Sequence, residues 1–246
     1  MILPGLHAIG AGLIPTMFGN DQYTKLLLHC DGADTSTTFT DSAAGSAAKT
    51  VTANGNAQVD TAQSKFGGAS CLLDGTGDYL SIPTSTDFDF AAGDFTIDFW
   101  VRPNALSGHN GLVSINNAAL TSGGWFIEFD NAGAPAAPLR AYFTYTDSTT
   151  SDTFATGGFS TGTWYHIAIV RSGSNFYMFV DGVQRGTWSS AKTVKDAPNG
   201  MVVGRGYTDS NSSYTNGWIE ELRITKGIAR WTAAFTPPTR AYGNQT

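Results

Sequence analysis

The chain is predicted to be all-β, folded as a two-sheet antiparallel sandwich, on three observations. Short runs that alternate apolar and polar residues recur along its length; 29 glycines and a 12% aromatic share suit short strands joined by tight turns; and neither helical apolar spacing nor a strand-helix-strand rhythm is present.

The first strand is expected at Leu26 to Asp31, followed by a polar stretch, Asp34 to Ala62, that reads as a long surface excursion. One strand is expected in it near Thr50-Val51-Thr52, because Asn54-Gly55-Asn56 is a turn signal. From Phe95 to Val101 the alternation is clean. Phe95, Ile97, Phe99 and Val101 share one face and Thr96, Asp98, Trp100 and Arg102 the other, which predicts a half-buried strand ended by Pro103. Trp125–Asp130 and Arg140–Thr146 are expected as a strand pair separated by a Gly- and Pro-containing loop.

Trp164–Val170 and Phe176–Val180 are apolar at both parities, which places them at a sheet centre as a hairpin. Asp181-Gly182 then favours a two-residue turn with both central φ angles positive, so Val183 onward should fold back on Phe179. Trp218 to Thr225 alternates like a closing strand, after which a basic, aromatic turn through Arg230-Trp231 leads to Pro237-Pro238. Asp74-Gly75-Thr76-Gly77-Asp78 lacks the helix and lysine of a phosphate-cradling loop and reads as a turn between strands.

Composition excludes several classes of function. Only 14% of residues are charged and the formal net charge is −6, so there is no basic surface for nucleic acid. No uninterrupted apolar run is long enough for a membrane span. The first residues are apolar but lack the basic start and cleavage site of a secretory signal. Residues 1–22 are expected to be an attachment arm whose Ile2, Leu3, Leu6, Ile9, Leu13, Ile14 and Phe18 dock on another subunit, and residues 23–246 the folded domain. Cys30 and Cys71 share inward parity; a bridge between them and a pair of buried free thiols are both open, with free thiols the commoner state in a reducing compartment.

The closing segment Gly217–Trp231 with Phe235-Thr236-Pro237-Pro238 resembles laminin-G-like, concanavalin A-like jelly rolls, especially those of structural proteins of tailed phages and prophages. Four further segments match in order: Leu26–Gly32, Phe66–Ser70 leading to Asp74–Leu80, Asp94–Val101, and Trp164–Ala168 leading to Phe179–Gly182. The resemblance spans roughly residues 23 to 242 and implies a jelly-roll sandwich, a virion location after synthesis in the host cytoplasm, and other virion proteins as partners, with the chain a homo-oligomer or docked on a capsid or tail protein. It also implies a head-decoration or tail-fibre adhesion role without catalysis, and a host-surface glycan as a further partner.

Related laminin-G-like modules often hold one calcium ion at a sheet rim. The positions that match are Asp31, Asp41 and an acid of the Glu220-Glu221 pair, whose hard oxygens suit calcium. Neighbours on a strand point to opposite faces, so of Glu220 and Glu221 one is expected inward, hydrogen-bonded or ion-binding, and the other solvated. Aromatic residues off the core, Trp100, Trp188, Tyr207 and Tyr214, are the candidates for stacking on a sugar ring. The same fold hosts glucanases with a Glu-x-Asp-x-x-Glu strand. Glu128-Phe129-Asp130 matches its first half, but Gly133 replaces the third acid and no catalytic residue is assigned. His7, His29, His109 and His166 show no metal-ligand spacing, and His166 reads as a hydrogen-bonded structural residue.

Overall fold

A computed structural model describes residues 19–116, 124–131, 138–155, 158–196, 199–206 and 213–244. The expected attachment residues Ile2, Leu3, Leu6, Ile9, Leu13, Ile14 and Phe18, together with Tyr207, lie outside them.

The fold is a sandwich of two antiparallel sheets, the jelly roll expected. Among the described residues one sheet has eight strands, running β14 (Val183–Ser189), β13 (Asn175–Val180), β12 (Tyr165–Ser172), β7 (Phe95–Pro103), β16 (Asn216–Lys226), β5 (Ser70–Asp74) and β4 (Gln58–Asp60), with β2 (Thr24–Leu28) also paired to β16. The other has seven: β11 (Thr150–Ala155), β10 (Leu139–Thr144), β9 (Gly124–Asn131), β8 (Gly108–Asn116), β15 (Met201–Val203), β6 (Tyr79–Ile82) and β3 (Thr52–Asn54). A short parallel pair, β1 (Gly19–Asn20) with β17 (Gly243–Asn244), ties the two ends of the domain together.

The inner faces interdigitate around one aromatic-rich core, in which Phe90 stacks on Phe95 at 4.1 Å and Phe95 meets Phe143 at 5.8 Å. Each such fully buried apolar side chain contributes about 2 kcal/mol of transfer free energy. The apolar hairpin lies inside the sheet but off its centre, with β12 beside the middle strand β7 and β13 next to the edge strand β14, and the turn after it has Asp181 at φ 50° and Gly182 at φ 74°.

The structure corrects four expectations. β7 is buried on both faces, because the chain after β16 folds back over the outer face of the eight-stranded sheet. Trp231 and Phe235 stack there at 4.1 Å, and Trp231 packs with Ala168, Val170 and Phe179. The first strand ends earlier than expected, with Cys30 at φ 63°. The polar excursion supplies two strands rather than one, β3 to one sheet and β4 to the other, with Gly55 making the turn between them at φ 66°. Finally, neither acid of the Glu220-Glu221 pair is solvated. The ladder of β16 on β7 shifts register between Glu220 and Arg223, Glu221 takes φ 55°, and this bulge keeps both carboxyls buried. Cys30 and Cys71 are buried free thiols.

Candidate functional site

The outer face of the seven-stranded sheet carries a charged cluster. Along β9 the core takes Trp125, Ile127 and Phe129, so period-two alternation turns Phe126, Glu128 and Asp130 outward. Register then sets their neighbours: Arg140 of β10 stands opposite Glu128, and His109 of β8 opposite Asp130. Arg140 donates from Nη1 to Glu128 Oε1 at 2.9 Å and lies 3.6 Å from Asp130 Oδ2. Its guanidinium sits 5.0 Å over the Phe126 ring, which itself stacks on Tyr142 at 5.0 Å. His109 Nδ1 lies 3.3 Å from Glu128 Oε1 and 3.5 Å from Asp130 Oδ1.

Glu128 is 0% exposed, and burial pushes its carboxyl above the usual range despite the His109 and Arg140 charges beside it. The roof over it depends on glycine. A Cβ at Gly111 would stand 1.9 Å from the Gly206 nitrogen, and one at Gly206 would meet Ser213 at 2.6 Å and Glu128 Oε2 at 3.6 Å. Gly111 and Gly206 both donate their N–H to the Ser213 carbonyl, at 3.0 and 2.8 Å, which pins the segment down.

Beside the cluster, at the rim of the sandwich, opens a polar cleft of about 490 Å³. Asp74 and Thr76 come from the glycine-rich turn, Ser107, His109 and Asn110 from the start of β8, and Tyr214 and Asn216 from the approach to β16. The turn reading of the Asp74–Asp78 segment holds. Gly75 and Gly77 take φ 87° and 81°, and Asp78 accepts from the Asp74 and Asn56 nitrogens. The Tyr214 ring lies 6.4 Å from Tyr79, over which Arg205 is placed at 4.2 Å. A half-buried aromatic face ringed by amide, hydroxyl, imidazole and carboxylate groups provides stacking and hydrogen bonds at once, the pair of contacts a polyhydroxylated ligand needs.

The four aromatic candidates are not brought together. Trp100 is 4% exposed beneath Phe66, at 5.8 Å, and Lys65 Nζ, at 4.1 Å. Trp188 stacks on the core ring Phe176 at 4.7 Å. Tyr214 alone of the three described candidates lines the cleft.

The acids proposed for calcium fall into two groups. Asp41 is buried, and its carboxylate accepts the N–H groups of Leu27, Ala43 and Lys49 at 3.0, 3.0 and 2.9 Å. Glu220 accepts from the Lys65 and Phe66 nitrogens, both at 2.5 Å, and Glu221 from Tyr242 N at 2.8 Å while meeting His29 Nδ1 at 2.5 Å. Burial and the charges of Glu221 and Asp31 push Glu220 up to about 8, although its two backbone hydrogen bonds oppose the rise. Asp31, exposed, is raised by its own partial burial and by Glu221. His166, read as structural, is 0% exposed and contacts Tyr242 Oη at 3.4 Å.

Two layered antiparallel sheets around one core, with a polar cleft at their rim, define the jelly-roll class of β-sandwich. The model of a concanavalin A-like lectin/glucanases superfamily matches residues 74–230, and the chain belongs to that superfamily. No curated protein matches the sequence.

Among solved structures, the binding domain of Paraclostridial Mosquitocidal Protein 1 is similar with a TM-score of 0.63 at 16% identity, over 85% of this chain and 50% of that one. The binding domain of botulinum neurotoxin serotype G is similar with a TM-score of 0.61 at 13% identity, over 83% and 48%. This chain thus spans about half the length of those toxin domains. Domain 4 of an extracellular arabinanase from Geobacillus stearothermophilus, in complex with arabinotriose, has a TM-score of 0.59 at 19% identity, over 84% of this chain and 93% of that domain. At these identities the likeness is one of fold. The two toxin neighbours are binding domains and the arabinanase domain is in complex with arabinotriose, while the superfamily also includes glucanases.

Proposed function

We propose that this chain is a non-catalytic glycan-binding domain that takes a sugar in the cleft at Tyr214. The observation that carries the reading is the placement of Tyr214 in a cleft of about 490 Å³ with Asp74, Thr76, Ser107, Asn110 and Asn216 around it. The arabinotriose complex of the similarly folded arabinanase domain supports it. Against catalysis stands the burial of Glu128, which is 0% exposed under Gly206 and Ser213 and ion-paired with Arg140, so a glycosidic oxygen has no approach to it. Screening the full chain on a glycan array tests the reading: wild type binds a defined set of glycans and Tyr214→Ala loses at least about tenfold in affinity, since one aromatic stacking contact and its buried area are worth on the order of 1.5 kcal/mol.

The setting we propose is the surface of a phage virion, where residues 1–22 attach the domain to a capsid or tail protein and the cleft faces a host-surface glycan. The motif resemblance supports this setting. Deleting residues 1–18, which keeps the Gly19–Asn20 pairing with β17, should abolish assembly with virion proteins while leaving the fold intact. Calcium remains a proposal at Asp31, Glu220 and Glu221, whose mutual repulsion an ion would relieve. Calorimetric titration with Ca2+, and its loss in Asp31→Asn, is the test.

A further inference from the structure

We infer, on the reading of the cleft as a glycan site, that its ligand is an acidic sugar whose carboxylate is received by Arg205 beside Tyr214. Arg205 lies just past β15 and pairs with Tyr214 in an isolated antiparallel bridge. Residues directly opposite in such a bridge send their side chains to the same face, so Arg205 leaves the backbone on the side of the ring that lines the cleft. Tyr79 completes the group. The Arg205 guanidinium stands 4.2 Å over the Tyr79 ring, the Tyr214 ring lies 6.4 Å from the same ring, and all three side chains are half-buried.

The charge of Arg205 is not spent inside the fold. Stacking on Tyr79 engages the flat face of the guanidinium and leaves its in-plane N–H donors over. Among the described residues none of these donors meets an acceptor and no carboxylate pairs with them. Nε is buried in that unmatched state, whereas the two terminal nitrogens stay open to solvent. A cation partly stripped of water without a partner is costly, and an oxyanion at the terminal nitrogens offsets that cost. The acids around the cleft are engaged elsewhere. Asp78 accepts from the Asn56 and Asp74 nitrogens, Asp74 from the Thr76 nitrogen at 2.7 Å, and Glu128 from Arg140. His109, the other basic side chain lining the cleft, faces Glu128 and Asp130.

The planar fork of a guanidinium matches a carboxylate with two parallel N–H···O bonds. Charge balance then selects among anions. One guanidinium offsets one negative charge, and Asp74, exposed in the cleft wall, repels any excess. A singly charged carboxylate suits this balance better than a phosphate monoester, which carries about −1.5 to −2 at neutral pH. Tyr214 would hold the ring of the sugar while Arg205 fixes its acidic group.

The test is a glycan array of oligouronates and sialylated oligosaccharides printed beside their carboxyl-reduced forms, with sulfated and phosphorylated glycans as the other anions, probed with the full chain. The expected result is binding at least about tenfold tighter to the carboxylate forms than to the reduced ones. Arg205→Gln should lose that preference while binding the reduced forms as wild type does, which also shows that the variant is folded. Arg205→Lys, which keeps the charge without the fork, should retain part of the preference, and Tyr214→Ala should weaken both forms alike. Equal affinity of wild type for acidic and reduced forms, or an undiminished preference in Arg205→Gln, would overturn the inference and leave the glycan reading standing. Failure to bind any glycan would overturn both. Stronger binding to sulfated or phosphorylated glycans than to carboxylated ones would overturn the carboxylate assignment.

Discussion

Arg223 and Asp98 face each other across β16 and β7 in a two-point contact, Nε to Oδ1 at 3.0 Å and Nη2 to Oδ2 at 3.2 Å, with both side chains 0% exposed. Arg223 also donates to the Gly19 carbonyl at 2.9 Å and lies 3.8 Å over the Tyr242 ring, while the Tyr242 hydroxyl donates to Asp98. One buried ion pair therefore binds the closing strand, the start of the domain and its tail into a single unit.

Asp98→Asn would leave the guanidinium buried without its counter-charge and should cost about 3–5 kcal/mol. Burial alone would raise the Asp98 carboxyl, but Arg223 and His166 outweigh it and hold it below its usual value. The folded state thus binds this proton more weakly than the unfolded chain. Its contribution is present above the unfolded pKa, about 3.9, and is lost as pH falls through the folded value. Urea denaturation at neutral pH checks the magnitude, and a loss below about 1 kcal/mol would contradict it.

Glu220 has the opposite sign. Its carboxyl is pushed up to about 8, so its contribution is complete below the unfolded pKa and is lost as pH rises toward that value. The urea midpoint of wild type should fall between about pH 5 and 8. Glu220→Gln should lack that slope, whatever its absolute stability. Parallel pH profiles for the two proteins would refute the assignment.

Gly182 and Gly173 both adopt positive φ, 74° and 58°, but a Cβ at Gly182 would lie 1.8 Å from the Phe235 carbonyl oxygen whereas one at Gly173 meets nothing within 4 Å. Gly173→Ala should therefore cost about 1–2 kcal/mol, the conformational penalty alone. Gly182→Ala should cost at least about 2 kcal/mol more by displacing the tail. Thermal or urea unfolding of the two variants separates the terms, and equal losses would show that the tail yields freely.

The Cys30 thiol is pushed well upward by its contact with Cys71 and by complete burial. Thiolate is the reactive form, so native protein at pH 8 should resist iodoacetamide over hours and react fully once unfolded. Rapid alkylation of the native chain, counted by mass spectrometry, would contradict this.

Local signals carried the hairpin of β12 and β13, its Asp181-Gly182 turn and the closing strand, because alternation and turn chemistry lie within a few neighbouring residues. The expected half-burial of β7 failed for a non-local reason: the cover over Thr96, Asp98 and Trp100 comes from the tail and from the Lys65-Phe66 segment, far off in sequence. The bulge at Glu221 likewise exists only in the pairing of β16 with β7. β8 escaped notice because Gly108-His109-Asn110-Gly111 reads as a turn, and with it went His109 as a site residue. The signal that was present is Glu128-x-Asp130, which places two acids on one face of a strand. Only the registers of β8 and β10 on β9 reveal that a histidine and an arginine complete the group.

The most direct test of the central claim is an amide chemical-shift titration of the full chain with the best oligosaccharide from the glycan array. The account predicts that perturbations concentrate at Asp74–Thr76, Ser107–Asn110 and Tyr214–Asn216. Shifts centred on Trp188 or on the Trp100 face instead, with the cleft silent, would contradict it.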